Sequence, residues 1–122
     1  MLIEIDDAKT VSDLQDRFSL CFPFLKIEFY CKSHQWEESS SAKNLIDPST
    51  FIGEIRKNHH PGILEIKSWY RTGEVEQAFK KLFGLNAQIF RLEGNHWKQS
   101  TESDNLTLGM QTEIAMNKKQ YS

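Results

Sequence analysis

What the sequence lacks already limits the classes of protein it can belong to. No stretch of its 122 residues approaches the roughly twenty consecutive apolar residues that a membrane-spanning helix requires. The charges are nearly balanced, with 15 basic and 17 acidic residues and a formal net charge of −2, and they form neither a basic stripe nor an acidic tail. These absences argue against a membrane span and against nucleic-acid binding as the main activity.

Targeting and redox signals are also scarce. The opening residues MLIEIDDAKT have neither the basic region nor the apolar run of a signal peptide, so we expect them to begin the fold itself. Cys21 and Cys31 leave a disulfide open as one alternative, but two thiols in an intracellular domain are more often small buried hydrophobes. The sequence therefore favours a cytoplasmic protein that folds as a single domain over residues 1–122.

Motifs for common enzyme chemistry are missing as well. The six glycines are scattered singly, so no phosphate-cradling loop is present, and there is no G-x-S-x-G elbow for a nucleophilic serine. Carboxylate pairs such as Asp6–Asp7 and Glu37–Glu38 are typical of exposed turns. We therefore expect no catalytic residues and no cofactor; whether the protein is an enzyme stays open, with a non-enzymatic role favoured.

The histidines raise one metal hypothesis. Cys31 and His34 have C-x-x-H spacing, and His59–His60 form an adjacent pair in a loop. Structural zinc sites usually present two tightly spaced ligand pairs on turns. Because Cys31 ends a predicted strand and adjacent histidines diverge in direction, the sequence favours a buried thiol and solvated histidines over a metal site.

What the chain does contain is an internal repeat. Residues 3–29 align with residues 64–90 without a gap, so that Ile3 corresponds to Leu64 and Phe18 to Phe79. Each copy reads strand, helix, strand. We expect the first helix to begin at Thr10, whose hydroxyl caps the amide of Asp13, and to end before Pro23; the second runs from Thr72 to a stop at Gly84.

Two strand–helix–strand units with one-sided strands predict an α+β fold, specifically a ferredoxin-like βαββαβ sheet in the order 4-1-3-2. Outside the units we expect a short inserted helix at about 48–57 and, after a C-terminal hairpin, a helix at about 107–117 that begins at a Thr107 cap. The predicted segments are a first unit over 3–30, an insert over 31–62, a second unit over 63–92, and the hairpin strand with the C-terminal helix over 93–118.

Aromatic residues collect on the second face of the predicted sheet, where Tyr30, Trp69 and Phe90 point the same way if Ala87 and Ile89 face the helices. RNA-binding domains of this fold stack bases on such a face, but Glu28 and Glu65 would repel phosphate and no RNP1 pattern occurs. The loop DDAKT also lacks the arginine that small acyl-phosphate hydrolases on this fold place after their first strand. We therefore expect the face to be covered, by the C-terminal helix through Leu108, Met110 and Ile114 or by a second copy.

The stretch from GLNAQIFR to TESDNLTLGMQ resembles a bacterial family of short α+β proteins that has no assigned function. The resemblance covers mainly residues 72–111 and implies that the hairpin and the following turn form one unit, although Leu106 stands where an aromatic residue is usual. The matching positions are Gly84, Leu85, Asn86, Gln88, Phe90, Arg91, Gly94, Trp97, Thr101, Asp104, Thr107, Leu108 and Gln111.

The sequence thus predicts a small binding or protein-interaction module, with a homodimer or a protein partner rather than nucleic acid or membrane. Its candidate binding surface comprises Asn86, Gln88, Arg91, His96 and Trp97, because arginine and tryptophan are favoured anchors at interfaces. A structural alternative makes Trp97 a cross-strand packing residue and pairs Arg91 with Glu93 or Asp104. A functional alternative is a small-molecule sensor or enzyme with a cleft near the hairpin, in which His96 or His34 titrates.

Overall fold

The computed structural model describes residues 1–32, 42–99 and 104–121, so the predictions that involve His34 and Thr101 lie outside the described residues. The fold is α+β, and the elements that position the site are five strands and three α-helices in the described part of the chain. They are β1 (Leu2–Ile5), α1 (Val11–Cys21), β2 (Leu25–Tyr30), β3 (Gly62–Glu65), α2 (Thr72–Phe83), β4 (Asn86–Glu93), β5 (His96–Gln99) and α3 (Leu108–Tyr121).

Local signals for helix ends are confirmed. The Thr10 hydroxyl accepts a hydrogen bond from the amide of Asp13, and the Asp13 carboxylate accepts one from the amide of Thr10, so α1 begins with a complete capping box. α2 ends at Gly84, whose φ of 68° is left-handed. The Thr107 hydroxyl caps α3 by accepting from the amide of Met110, and this helix continues beyond its predicted end.

Replacement of Gly84 by alanine is expected to lower the free energy of unfolding by about 1–2 kcal/mol, because an alanine at positive φ brings its Cβ close to the following carbonyl. An added Cβ would meet only the Cβ of Arg56, at 3.8 Å, so crowding contributes little. Urea unfolding measures the loss. A Gly84→Asn variant, which tolerates left-handed backbone better, should lose less; equal losses would contradict a backbone origin.

The ferredoxin-like strand order is not confirmed. In the order 4-1-3-2, β2 and β4 lie at opposite edges of one sheet, whereas here they are hydrogen-bonded antiparallel neighbours from Leu25↔Arg91 to Tyr30↔Asn86. β5 pairs with the other side of β4, and β1 pairs with β3 in a separate two-stranded ladder. The prediction failed because the alternation of apolar and polar residues along a strand indicates which face of the strand is buried, but not which strand pairs with it.

The strand pairing brings the two copies of the repeat together about an approximate two-fold axis. Ile3 lies opposite Leu64, which is its own equivalent in the second copy. In the other ladder Ile27 lies opposite Ile89, and Glu28 lies opposite Gln88. Ile27 is the repeat equivalent of Gln88 and Glu28 that of Ile89, so the axis passes between these two pairs. The repeat seen in the sequence is therefore a feature of the three-dimensional structure.

The structure extends the repeat beyond the aligned residues. In each half a later segment runs back along the start of that half's helix, and we name residues 48–53 the first return segment and residues 104–109 the second. The first makes the bonds Val11 N to Thr50 O, Ser12 N to Pro48 O, Ile52 N to Lys9 O and Gly53 N to Asp7 O. The second makes the equivalent bonds Thr72 N to Leu106 O, Gly73 N to Asp104 O, Leu108 N to Tyr70 O and Gly109 N to Ser68 O.

This equivalence corrects the predicted organisation outside the two units. The segment expected to form an inserted helix at 48–57 contains only a 3₁₀ turn, Ile52–Glu54, and it corresponds to the start of α3. Ile52 and Leu108 are both fully buried at matching positions. The insert and the C-terminal extension are thus two versions of one element, which becomes a long helix only in the second half.

One hydrophobic core joins both halves, and it includes Phe18, Phe29, Phe79 and Leu108. α3 packs against β4, so the C-terminal helix covers part of the sheet, as predicted. Trp69 and Met110 are nevertheless exposed, Trp69 by 66%, so within one chain the helix does not cover Trp69.

The two cysteines were expected to be buried thiols, and this expectation is also wrong. Cys21 and Cys31 are exposed and form no disulfide. The buried stripe of α1 ends at Phe18, one turn before Cys21. No helix in the described part of the chain is long and apolar enough to cross a membrane.

Candidate functional site

Strand β4 carries most of the predicted surface residues, but the structure buries them. Gln88 is fully buried and Arg91 nearly so, although both were expected at an exposed rim. Asn86 is half-buried, and its side-chain amide donates to the carbonyl of Tyr30 at 3.2 Å. Of the five predicted residues only His96 and Trp97 are exposed, so the set does not form one surface.

Arg91 lies at the centre of a buried polar network that joins three elements. Its Nη2 atom is 2.9 Å from Oε1 of Glu93, and its Nη1 atom donates to Oε1 of Gln111 on α3. The Gln111 amide in turn donates to the Thr72 hydroxyl at 3.3 Å, and that hydroxyl donates to the Leu106 carbonyl at 2.8 Å. The structural alternative that pairs Arg91 with Glu93 is therefore confirmed.

Glu76 completes the network from α2. Among the described residues the β4–β5 ladder includes Phe90↔Gln99, and at the next position of β4 Oε2 of Glu76 accepts from the amide of Ile89 at 2.8 Å. The same oxygen accepts from Nε2 of Gln88 at 3.2 Å. A helix side chain thus accepts hydrogen bonds from a buried backbone amide and from a buried side-chain amide of β4.

The Glu76 carboxyl also hydrogen-bonds the carboxyl of Asp104, at the start of the second return segment. Burial raises the pKa of Glu76 well above its ordinary value of 4.5, the charge of Asp104 raises it further, and the bond from the Ile89 amide opposes this rise. Two buried carboxyls in contact avoid mutual repulsion when one keeps its proton and donates it to the other. Folding therefore favours the protonated form of Glu76 at the junction of α2, β4 and the return segment.

The repeat contains the signal that would have identified Glu76. Its equivalent in the first half is Gln15, whose Nε2 atom donates to the carbonyl of Ile27 at 2.9 Å. Both side chains thus bond to the backbone of the strand that follows their helix, one as a donor and one as an acceptor. Asp104 was named in the family resemblance and as one alternative partner of Arg91, but its position beside Glu76 was not predicted, because the two residues lie far apart in the sequence.

The exposed side of the hairpin is basic and aromatic. Trp97 is 38% exposed, and the Lys26 ammonium lies 5.2 Å from the centre of its ring and 5.0 Å from that of Phe90. His96 and Lys98 flank Trp97 on β5 and are exposed. We name Lys26 and Trp97 the hairpin surface, because alternation along β5 turns the exposed His96 and Lys98 to the opposite face of the strand.

The histidines on the loop before β3 do not gather metal ligands. In the described part of the chain no group of three or more histidine, cysteine, aspartate or glutamate side chains could hold a metal ion. Nδ1 of His59 instead lies 2.7 Å from Oδ2 of Asp7, while Nε and Nη2 of the buried Arg56 lie 2.9 Å from Oδ1. Partial desolvation raises the pKa of Asp7, but the bonds from Arg56 and His59 outweigh it and lower that pKa.

Two clefts lie at positions that the approximate two-fold axis relates to each other. The larger, of about 610 Å³, runs along β1 beside α1 and includes Glu4, Lys9 and Arg17 in its lining. The smaller, of about 190 Å³, runs along β3 beside α2, and there Glu65, Tyr70 and Ala78 stand at the equivalent positions. Neither cleft is lined by a histidine or by a residue of the hairpin surface.

No known protein family matches the chain, and no curated protein or solved structure matches it either.

Proposed function

We propose that this protein is a small cytoplasmic module that binds a protein partner through its hairpin surface and performs no chemistry of its own. The observation that carries the proposal is the exposed Trp97 ring beneath the Lys26 ammonium on a sheet-edge strand. Tryptophan beside a cation is a frequent anchor of protein interfaces. The family resemblance around residues 72–111 is in keeping with this proposal, because it includes Trp97 and brings no activity with it.

The buried network supports the proposal by fixing β4, the strand to which the strand of Trp97 is paired. Leu92 lies opposite Trp97 on β4, between Arg91 and Glu93, whose ion pair is buried. Gln111 and Thr72 tie Arg91 to the helices. A binding residue on a strand held in this way loses little conformational freedom when the partner docks, which favours affinity.

The enzyme alternative would need a cleft that joins a histidine to an arginine and a carboxylate near the hairpin. Arg91 and Glu93 form a buried ion pair, whereas His96 is exposed on β5. The two clefts on β1 and β3 contain no histidine. A binding role therefore explains the exposed residues of the hairpin without a cleft that joins a histidine, an arginine and a carboxylate.

Replacement of Trp97 by alanine is expected to weaken partner binding about thirtyfold or more, as at interface hot spots worth 2 kcal/mol. Tagged wild-type and variant proteins would be expressed in the source cells, purified gently and compared by native mass spectrometry. The fraction bound to a partner protein is the measurement, and thermal unfolding verifies that the variant remains folded.

Trp69 provides a matched control, because it is also exposed and has a lysine, Lys67, 5.0 Å from the centre of its ring. Trp69→Ala should leave the bound fraction unchanged. A wild-type protein that carries a small molecule and no protein would favour the sensor or enzyme alternative. A Trp97→Ala variant that keeps its partner would overturn the assignment of the hairpin surface.

A further inference from the structure

The outer edge of β1 has free backbone groups. Met1 and Ile66 exchange both backbone hydrogen bonds, at 2.8 and 2.9 Å. This pair determines which residues of the β1–β3 ladder form hydrogen-bonded pairs and which do not. By the alternation of antiparallel pairs, Ile3 and Ile5 bond to β3, while the amides and carbonyls of Leu2 and Glu4 point away from it. In the part of the chain that the structure describes, β1 pairs with no strand other than β3.

The residues beside this edge are apolar or oppositely charged. Arg17 reaches over from α1, and its Nε atom donates to the carbonyl of Leu2 at 2.9 Å. Leu20, on the same face of α1 as Arg17, is 75% exposed, and Leu2 is 52% exposed. Glu4 carries an exposed carboxylate on β1, whose one ion pair among the described residues is a long 4.0 Å contact with Lys9. The edge thus presents a cation, an anion and two leucines side by side.

The equivalent edge in the second half lacks this combination. Ala78 stands where the first half has Arg17, and Lys81 stands where it has Leu20. Glu65, the equivalent of Glu4, forms a closer ion pair with Lys67, at 2.9 Å. An exposed lysine is a common device that protects a sheet edge from association. Of these two edges, the β1 edge alone therefore combines free backbone groups with an apolar and self-complementary border among the residues that the structure describes.

We propose that the β1 edge is a homodimer interface, in which β1 of one copy pairs antiparallel with β1 of a second copy about a two-fold axis at Ile3. Leu2 of each copy then lies opposite Glu4 of the other, and four backbone hydrogen bonds form between the outward-pointing groups. The Leu2 carbonyl accepts from both Arg17 and the amide of Glu4 of the second copy, since a carbonyl oxygen has two lone pairs.

Charge complementarity indicates that the partner at the β1 edge is a second copy of this chain. Antiparallel pairing about Ile3 brings each Glu4 beside the Arg17 guanidinium that is bound at the opposite Leu2 carbonyl. A two-fold axis makes this contact twice, because each copy supplies one anion and one cation. The exposed Leu20 side chains extend the contact along the two α1 helices. This surface is separate from the hairpin surface and does not depend on partner binding there.

Sedimentation velocity of the purified chain at low salt, from about 10 to 500 µM, tests the proposal, since a small interface gives a weak, concentration-dependent dimer. Glu4→Arg and Arg17→Glu are each expected to weaken dimerisation roughly tenfold or more, because they place like charges opposite one another. The Glu4→Arg/Arg17→Glu double variant restores the dimer. Glu4→Pro removes an outward amide that makes no bond to β3 and should leave a folded monomer.

Glu65→Arg is the matched control, because Glu65 occupies the equivalent position on the β3 edge and should not affect the dimer. A wild-type protein that stays monomeric over the whole range would overturn the proposal. So would a loss of dimer in Glu65→Arg as large as in Glu4→Arg, or a double variant that fails to recover, since either result would place the contact elsewhere.

Discussion

Replacement of Arg91 by methionine is expected to lower the free energy of unfolding by about 3–5 kcal/mol, the usual cost of removing one partner from a buried ion pair. Methionine has a similar length and fills much of the same space, so the loss reflects charge and hydrogen bonding rather than a cavity. The substitution leaves the Glu93 carboxylate buried beside an apolar side chain, and it removes the hydrogen bond that Arg91 donates to Gln111. Chemical denaturation followed by circular dichroism measures the difference.

A second variant separates the ion pair from general damage to β4. Arg91→Met combined with Glu93→Leu removes both charges, and much of the lost stability should return, because an apolar pair can replace a buried ion pair at little cost. Lys98→Met, directly across the strand from Arg91 but exposed, should change stability by less than about 0.5 kcal/mol. A Lys98 variant as unstable as the Arg91 variant would contradict the central role of the network.

Replacement of Glu76 by glutamine is expected to remove most of the decline in stability that the wild-type protein shows as pH rises. The folded-state pKa of Glu76 lies above its ordinary value of 4.5, so its protonated form is favoured by folding. The contribution of Glu76 to the free energy of unfolding is fully present below pH 4.5 and is lost as pH rises through the folded-state pKa. One group can change the free energy of unfolding by at most about 1.4 kcal/mol per pH unit in this window. Glutamine keeps an oxygen for the Ile89 amide and a donor for Asp104 at every pH.

Urea unfolding of both proteins at intervals from pH 4 to pH 9 measures the effect as the difference in slope. Glu74→Gln is the control, because Glu74 lies two residues earlier in the first turn of α2 and is exposed. Its curve should keep the wild-type slope. If Glu76→Gln kept that slope as well, another group would have to carry the pH dependence.

Helix ends and the internal repeat could be predicted because their causes are local. The Thr10 cap, the stop at Gly84 and the Thr107 cap each depend on residues within one or two turns of the chain. The hairpin of β4 and β5 likewise follows from a single turn that contains Gly94.

Strand neighbours and the buried network depend on contacts between distant residues, and the sequence pattern does not contain them. Arg91 was placed in the candidate surface because arginine is a favoured interface anchor, with Gln88 nearby, and the sequence left open which face of the fourth strand is buried. The structure instead covers β4 on both faces and supplies partners from Glu76 and Gln111. The equivalence of the two return segments was also hidden, since Gly53 and Gly109 are the one identical pair among their six equivalent positions.

The pairing of equivalent strands also determines how the molecule can come apart. In the described part of the chain both strands of the first half, β1 and β2, form their ladders only with strands of the second half. The core is shared in the same way, with Phe29 of one half against Phe79 of the other at 5.5 Å between ring centres. The first half retains no ladder once the second is lost, and the second keeps only the β4–β5 hairpin. The two copies of the repeat therefore unfold as one cooperative unit despite their separate places in the chain.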